Sequence, residues 1–250
     1  MLVYVYNGGF EGFLTVIYDC IKDNVVPENI CPYEKVENNL FAEFITINPD
    51  QYKAQKVIER IKVKFSYDAV KNIFFAYLSD EPDIELNILL YVRDLFLSKR
   101  DVGKNYANKN SLKIRKIILN VKNEAHRFLG ILRFAETKDG IYYASMEPDN
   151  NIIYIITNHF VKRFANQKFI ICDEKRNIAA FYDLKNVEYV SIESISDLEQ
   201  NYSEEEKNYQ TLWKTYFKKI AIEERNNTKL QKQFIPLKYR KYLTEMKDYN

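Results

Sequence analysis

Apolar and polar positions recur along this chain with two periods, and the dominant period changes near residue 127. Residues 2–6 (LVYVY) form a β-branched and aromatic run that predicts a buried strand. Asn7-Gly8-Gly9 ends it. Phe10, Phe13, Leu14, Ile17, Tyr18 and Ile21 then fall on one face at helical spacing and predict a helix over 10–22. Residues 24–39, with Pro27 and Pro32, read as a loop, and 41–47 alternates as a second strand. Pro49 stands at the start of a helix over 50–64, where a missing N–H costs little. Ser66 can cap a helix over 67–79, Asp80-Glu81-Pro82-Asp83 breaks it, and another covers 85–100. Asn110 and Ser111 open the next, along which Ile114, Ile117, Ile118, Val121, Ala125 and Phe128 keep helical spacing.

Beyond that point the pattern shortens. Residues 127–136 and 141–147 flank Asp139-Gly140, a hairpin signal. Pro148-Asp149-Asn150-Asn151 turns the chain into a helix over 152–165. Three short strands follow at 168–173, 179–183 and 187–192. Residues 193–206 hold acids and no basic residue, part linker and part first turn of a helix capped by Ser203. That helix runs to about Asn226, with a short one at 228–234 and a last near 239–246. The expected class is α+β: a helix-rich chain around an antiparallel sheet, a hairpin–helix–meander centre and a helical C-terminus. Residues 1–250 read as a single unit with sub-regions 1–125, 126–192 and 203–250.

Composition narrows the function classes. With 46% apolar residues the chain can bury a sizeable core. Six glycines and six prolines fit long regular elements. Cys20, Cys31 and Cys172 are too few and too scattered for a disulfide framework, and with only His126 and His159 they make no zinc or iron–sulfur pattern. The expectation is therefore no metal and no bound cofactor. The N-terminal residues lack a basic signal region and no 18-residue apolar run occurs, so we expect no membrane span and a cytoplasmic protein.

The net charge of +2 excludes a histone-like tail but hides a polarised chain. Residues 213–247 carry ten lysines and arginines against three glutamates, a balance of +7 that leaves −5 elsewhere. Trp213, Phe217, Ile220 and Ala221 fall on one helical face, with Lys214, Lys218, Lys219 and Arg225 beside it. A basic helical face interleaved with Tyr216, Tyr239 and Tyr242 suits phosphate contacts and base stacking. It equally suits a solvated face docked over the chain's own acids.

Three constellations remain. Tyr6-Asn7-Gly8-Gly9-Phe10-Glu11-Gly12 resembles a phosphate cradle between strand and helix, or a plain tight turn. Asn7 takes the place of a first fingerprint glycine, no βαβ unit is evident, and no Walker lysine follows. His126 and His159 each lie in a basic setting. Arg127 and Arg133 share a face if 127–134 is a strand, and His159, Lys162 and Arg163 share one side of a helix. Such groups could bind a phosphodiester, or act with Glu147 as acid and base.

The same segments resemble a bacterial family described as DNA metabolism proteins. The resemblance rests on Tyr6, Gly8, Phe10, Glu11 and Gly12; on His126, Arg127, Gly130, Arg133 and Phe134; on Glu147, Pro148, Asp149, His159, Phe160, Arg163 and Phe164; and on Trp213, Tyr216, Phe217, Pro236 and Tyr239. Family members usually carry His where this chain has Asn150, so that turn lacks the imidazole here. Such proteins are usually encoded beside a radical S-adenosylmethionine protein thought to modify or repair DNA, or fused to a domain resembling family-4 uracil-DNA glycosylases. The resemblance implies DNA repair, with the cluster and S-adenosylmethionine belonging to the partner, and our first expectation is a DNA-binding accessory to it. Arg127, Arg133, His159, Lys162, Arg163 and the C-terminal basic helices would hold phosphates, and Tyr216 or Tyr239 would stack on a base. One alternative is an enzyme on nucleic acid using His126, Glu147 and His159. Another is a protein-interaction module without DNA binding.

Overall fold

The computed structural model describes residues 2–36, 41–97, 109–192, 201–225 and 227–247. The expected acidic linker at 193–200 lies outside them, as does the expected end of a helix at 98–100; the helix expected to reach about 226 ends at Ile220, followed by a 3-10 turn at Glu223–Arg225. The chain forms two compact units, Met1–Lys122 and Asn123–Asn250.

The first unit is built on a parallel sheet. Strand β1 (Leu2–Tyr6) lies between β2 (Asn29–Pro32) and β3 (Glu43–Ile47), with Tyr4 opposite both Ile30 and Ile45. Helix α1 (Gly9–Lys22) is the crossover that parallel pairing of β1 and β2 requires. This corrects two expectations. Residues 29–32 are a strand rather than loop, and a βαβ unit does follow the glycine turn. Ile30 is buried, and Pro32 closes an edge strand, where its missing N–H costs no inner ladder bond. The turn needs its glycines. Gly8 has φ 76°, and a Cβ on Gly12 would lie 1.6 Å from the Asn7 carbonyl oxygen. Helices α2 (Gln51–Lys64), α3 (Tyr67–Tyr77) and α4 (Ile84–Leu97) follow, α2 and α3 capped by the Asp50 and Ser66 side chains. Helix α5 (Lys109–Ile131) begins in this unit.

The second unit carries a five-stranded sheet in chain order, β4 (Ala135–Glu136), β5 (Tyr142–Met146), β6 (Phe169–Asp173), β7 (Ile178–Tyr182) and β8 (Val187–Ser191). The expected α+β class, hairpin–helix–meander centre and helical C-terminus are all present. Three of the pairings are antiparallel. The pair β5–β6 is parallel, because helix α6 (Ile153–Arg163) carries the chain back across the sheet between them. Phe134, Phe160, Phe164 and Phe169 meet in edge-on and stacked ring contacts, joining α6 to the sheet.

Of the expected strand over 127–136, residues 127–131 are helix and 132–134 are irregular. Ile114, Val121, Ala125 and Phe128 form one buried stripe, which holds α5 together through Ile131 and leaves only Ala135–Glu136 for the strand. Arg127 and Arg133 therefore share no strand face. Helix α7 (Glu204–Ile220), capped by Ser203, buries no residue, so its expected apolar face is not a core face. Helix α8 (Thr228–Phe234) likewise buries none, and a 3-10 turn at Leu237–Tyr242 stands where part of a last helix was expected. No described helix is long and apolar enough to cross a membrane.

Candidate nucleic-acid interface

Glu124 organises the second unit's polar centre. It sits beside the buried stripe of α5 and is itself buried. Its carboxylate accepts from the backbone N–H of Asp149 at 2.7 Å and of Asn150 at 2.9 Å, from Asn150 Nδ2 at 2.6 Å, and from the Tyr239 hydroxyl at 2.6 Å. Four donors satisfy a carboxylate that burial alone would penalise. The Tyr239 ring packs edge-on against Phe128 at 4.8 Å. Burial and the Glu124 carboxylate hold the Tyr239 phenol well above its ordinary value, against the opposing charge of Arg127.

The neighbouring acids are engaged as well. Glu147 pairs with Lys241 at 2.6 Å, which lowers its pKa. The Tyr242 hydroxyl donates to Glu174 at 2.6 Å and lies 3.3 Å from Glu147. Asp149 pairs with Lys238. Arg176 pairs with Asp173 at 2.8 Å and donates to the Asp149 carbonyl at 2.6 Å. Arg133 pairs with Glu245 at 2.7 Å, and Trp213 Nε1 donates to the same carboxylate at 3.0 Å. Burial pushes Glu245 up, but Arg133 and Trp213 outweigh it and leave the group lowered. Residues far apart in sequence thus meet here, and most of them hold structure.

This geometry sorts the expected site residues. His126 on α5 and His159 on α6 are both exposed, and among the described residues no hydrogen bond or ion pair joins them to each other or to Glu147. Arg133 is committed to Glu245. Tyr239 is only 1% exposed, so its expected stacking role is corrected: the ring has no free face for a base. Arg127 is half-buried, and Lys162 and Arg163 are exposed at the end of α6. Tyr242, expected beside Tyr216 and Tyr239 for stacking, is half-buried with its hydroxyl on Glu174, and Glu124 and Glu174 were missed from sequence. Glu124 had a visible signal, a carboxylate three residues after buried Val121 and four before buried Phe128.

The remaining expected residues lie on α7 and the 3-10 turn Glu223–Arg225. Lys218, Lys219 and Arg225 are exposed and, among the described residues, pair with no acid; Lys214 is half-buried. Tyr216 is 54% exposed beside Trp213, with ring centroids 5.7 Å apart. Tyr209 is also exposed. The lysines fall in the last turn of α7 and Glu204–Glu206 in its first, which complements the helix dipole as well as polarising the helix. Nε and Nη2 of the half-buried Arg240 are enclosed without an acceptor among the described residues. No three His, Cys, Asp or Glu side chains among them gather as they would around a metal ion.

A family model described as a domain of unknown function (DUF4130) matches residues 82–245. No curated protein matches the chain.

Proposed function

The chain belongs to the DUF4130 family, and we propose that it is a nucleic-acid-binding accessory of DNA metabolism. It would work beside a radical S-adenosylmethionine or uracil-DNA-glycosylase type of partner that supplies the chemistry. The observation that carries this reading is the α7–α8 segment. Its two helices bury nothing, it presents Lys218, Lys219 and Arg225 without acidic partners among the described residues, and it sets the exposed rings of Tyr209, Trp213 and Tyr216 on the same helix as those lysines. Cations hold phosphates and release counterions, and exposed rings can stack on unpaired bases. The engaged state of Glu147 offers no comparable support for acid–base catalysis.

Anisotropy with single-stranded and duplex DNA at two salt concentrations tests the proposal. Binding should weaken steeply with salt, and K218E/K219E/R225E should lower the salt slope for duplex DNA by about 2.7, at about 0.9 per phosphate lost. No binding at low salt rejects it.

A protein-interaction module is the second reading, favoured by Leu212, Ile220 and Phe234, which are also exposed on this segment. Co-purification with the partner after nuclease treatment separates the two. Retention without nucleic acid supports the module.

A further inference from the structure

The first unit carries a groove of about 850 Å³ between α1, α2 and the end of α4. Its volume lies within the roughly 300–1,000 Å³ of ligand sites. Its apolar floor includes the rings of Tyr18, Tyr52 and Phe96. Its rim carries four cations, Lys22, Lys56, Arg60 and Lys64, against one acid, Glu59, which accepts from Gln55. Lys22, Lys56 and Arg60 form no ion pair among the described residues, and Lys64 donates to the Phe96 carbonyl. Lys56 lies over Tyr52 and Arg60 over Phe96, so charge and aromatic surface are interleaved.

We propose that this groove binds a short stretch of single-stranded nucleic acid, at a site separate from the α7–α8 segment. Lys56, Arg60 and Lys64 are four residues apart in turn on α2, a spacing of about 6 Å along the axis. Successive phosphates along an extended strand have a comparable separation. A concave floor with Tyr52, itself 66% exposed, can receive unpaired bases. A duplex keeps its bases stacked inside and cannot present them to the rings. An anionic strand with flat apolar bases therefore matches both rim and floor.

The test uses the full chain carrying K218E/K219E, so that the C-terminal segment does not mask the groove. The probe is a fluorescein-labelled oligothymidylate of about five nucleotides, with length set to the few bases such a groove can stack. Binding should persist in this background. Adding K56Q/R60Q should lower the salt slope by about 1.4, at about 0.7 per phosphate on a single strand. Adding Y52A should weaken binding about tenfold and leave the salt slope unchanged, since stacking releases no counterion. Lys56, Arg60 and Tyr52 are all exposed, so circular dichroism should be unchanged. Equal affinity with and without K56Q/R60Q overturns the proposal. So does a groove that ignores the oligonucleotide and takes an acidic amphipathic peptide. Quenching of Trp213, the single tryptophan, by duplex DNA in the otherwise native chain reads the C-terminal segment alone, so failure there is distinguishable from failure here.

Discussion

The Tyr239 hydroxyl donates to Glu124 at 2.6 Å across 115 residues of sequence. That bond fastens the C-terminal 3-10 turn to α5, and through the same carboxylate to the Glu147-Pro148-Asp149 turn. Tyr239→Phe should destabilise the second unit by about 2 kcal/mol, the range for a hydrogen bond to a buried charge. Glu124→Ala should cost more, because it also strands the Asp149 and Asn150 N–H groups. The double variant should cost less than the sum. Urea unfolding followed by circular dichroism checks all three, and full additivity would contradict the shared carboxylate.

Arg133 and Glu245 make a second cross-link. The Glu245 side chain is 5% exposed and that of Arg133 is 31% exposed. Removing the cation by Arg133→Ala leaves a buried carboxylate with Trp213 Nε1 as its remaining side-chain donor. A loss of about 3 kcal/mol is expected, toward the lower end for a broken buried pair because one side meets solvent. Trp213 emission should shift, since its indole N–H shares that carboxylate. Unchanged stability and emission would show that the pair does not form in solution.

Two glycines should respond oppositely to alanine. At Gly12 the new Cβ would meet the Asn7 carbonyl carbon at 2.8 Å as well as its oxygen, and backbone cannot swing away as a flexible side chain can. Gly12→Ala should prevent the first unit from folding. At Gly130, inside α5, an added Cβ meets nothing within 4 Å. Gly130→Ala should stabilise by about 0.5–1 kcal/mol through helix propensity and a less flexible unfolded chain. Thermal melts of the two variants decide it.

Glu85 titrates against the fold. Burial raises its pKa, although Tyr6 donates to it at 3.1 Å. A carboxyl whose folded value lies above its unfolded one gives its full stabilisation below the unfolded value, about 4.3. That contribution disappears as pH rises through the folded value. Relative to Glu85→Gln, the native chain should therefore lose stability as pH rises from about 4 toward neutrality. Chemical denaturation at several pH values measures the difference. A native chain that gains on the variant with rising pH would refute the shift.

Much of the fold could be read locally. Ser66 and Ser203 cap the helices they precede, and Asp139-Gly140 makes its hairpin because each signal acts within four residues. The misreadings involve partners distant in sequence or overlapping periods. The expected helix and the expected strand overlap at Arg127–Phe128, and the buried stripe ending at Phe128 carries the helix on to Ile131. Strand β2 was disguised by flanking prolines and exists through pairing with β1. Of the proposed contact residues, Tyr216, Lys218 and Lys219 are exposed as a polar helical face suggests. Tyr239 is buried against Glu124 and Arg133 is tied to Glu245, partners more than 100 positions away.

The central place of β1 has a consequence for exchange with solvent. Among the described residues it is the strand of the parallel sheet bonded on both sides, so its amides are shared between two neighbours and all of them open only when both separate or the whole unit unfolds. Amides of α7, which buries nothing, can open by fraying. Deuterium should therefore enter α7 within the earliest labelling times and β1 last in its sheet. Bound DNA would protect the fast segment on a background where the slow strand serves as an internal clock.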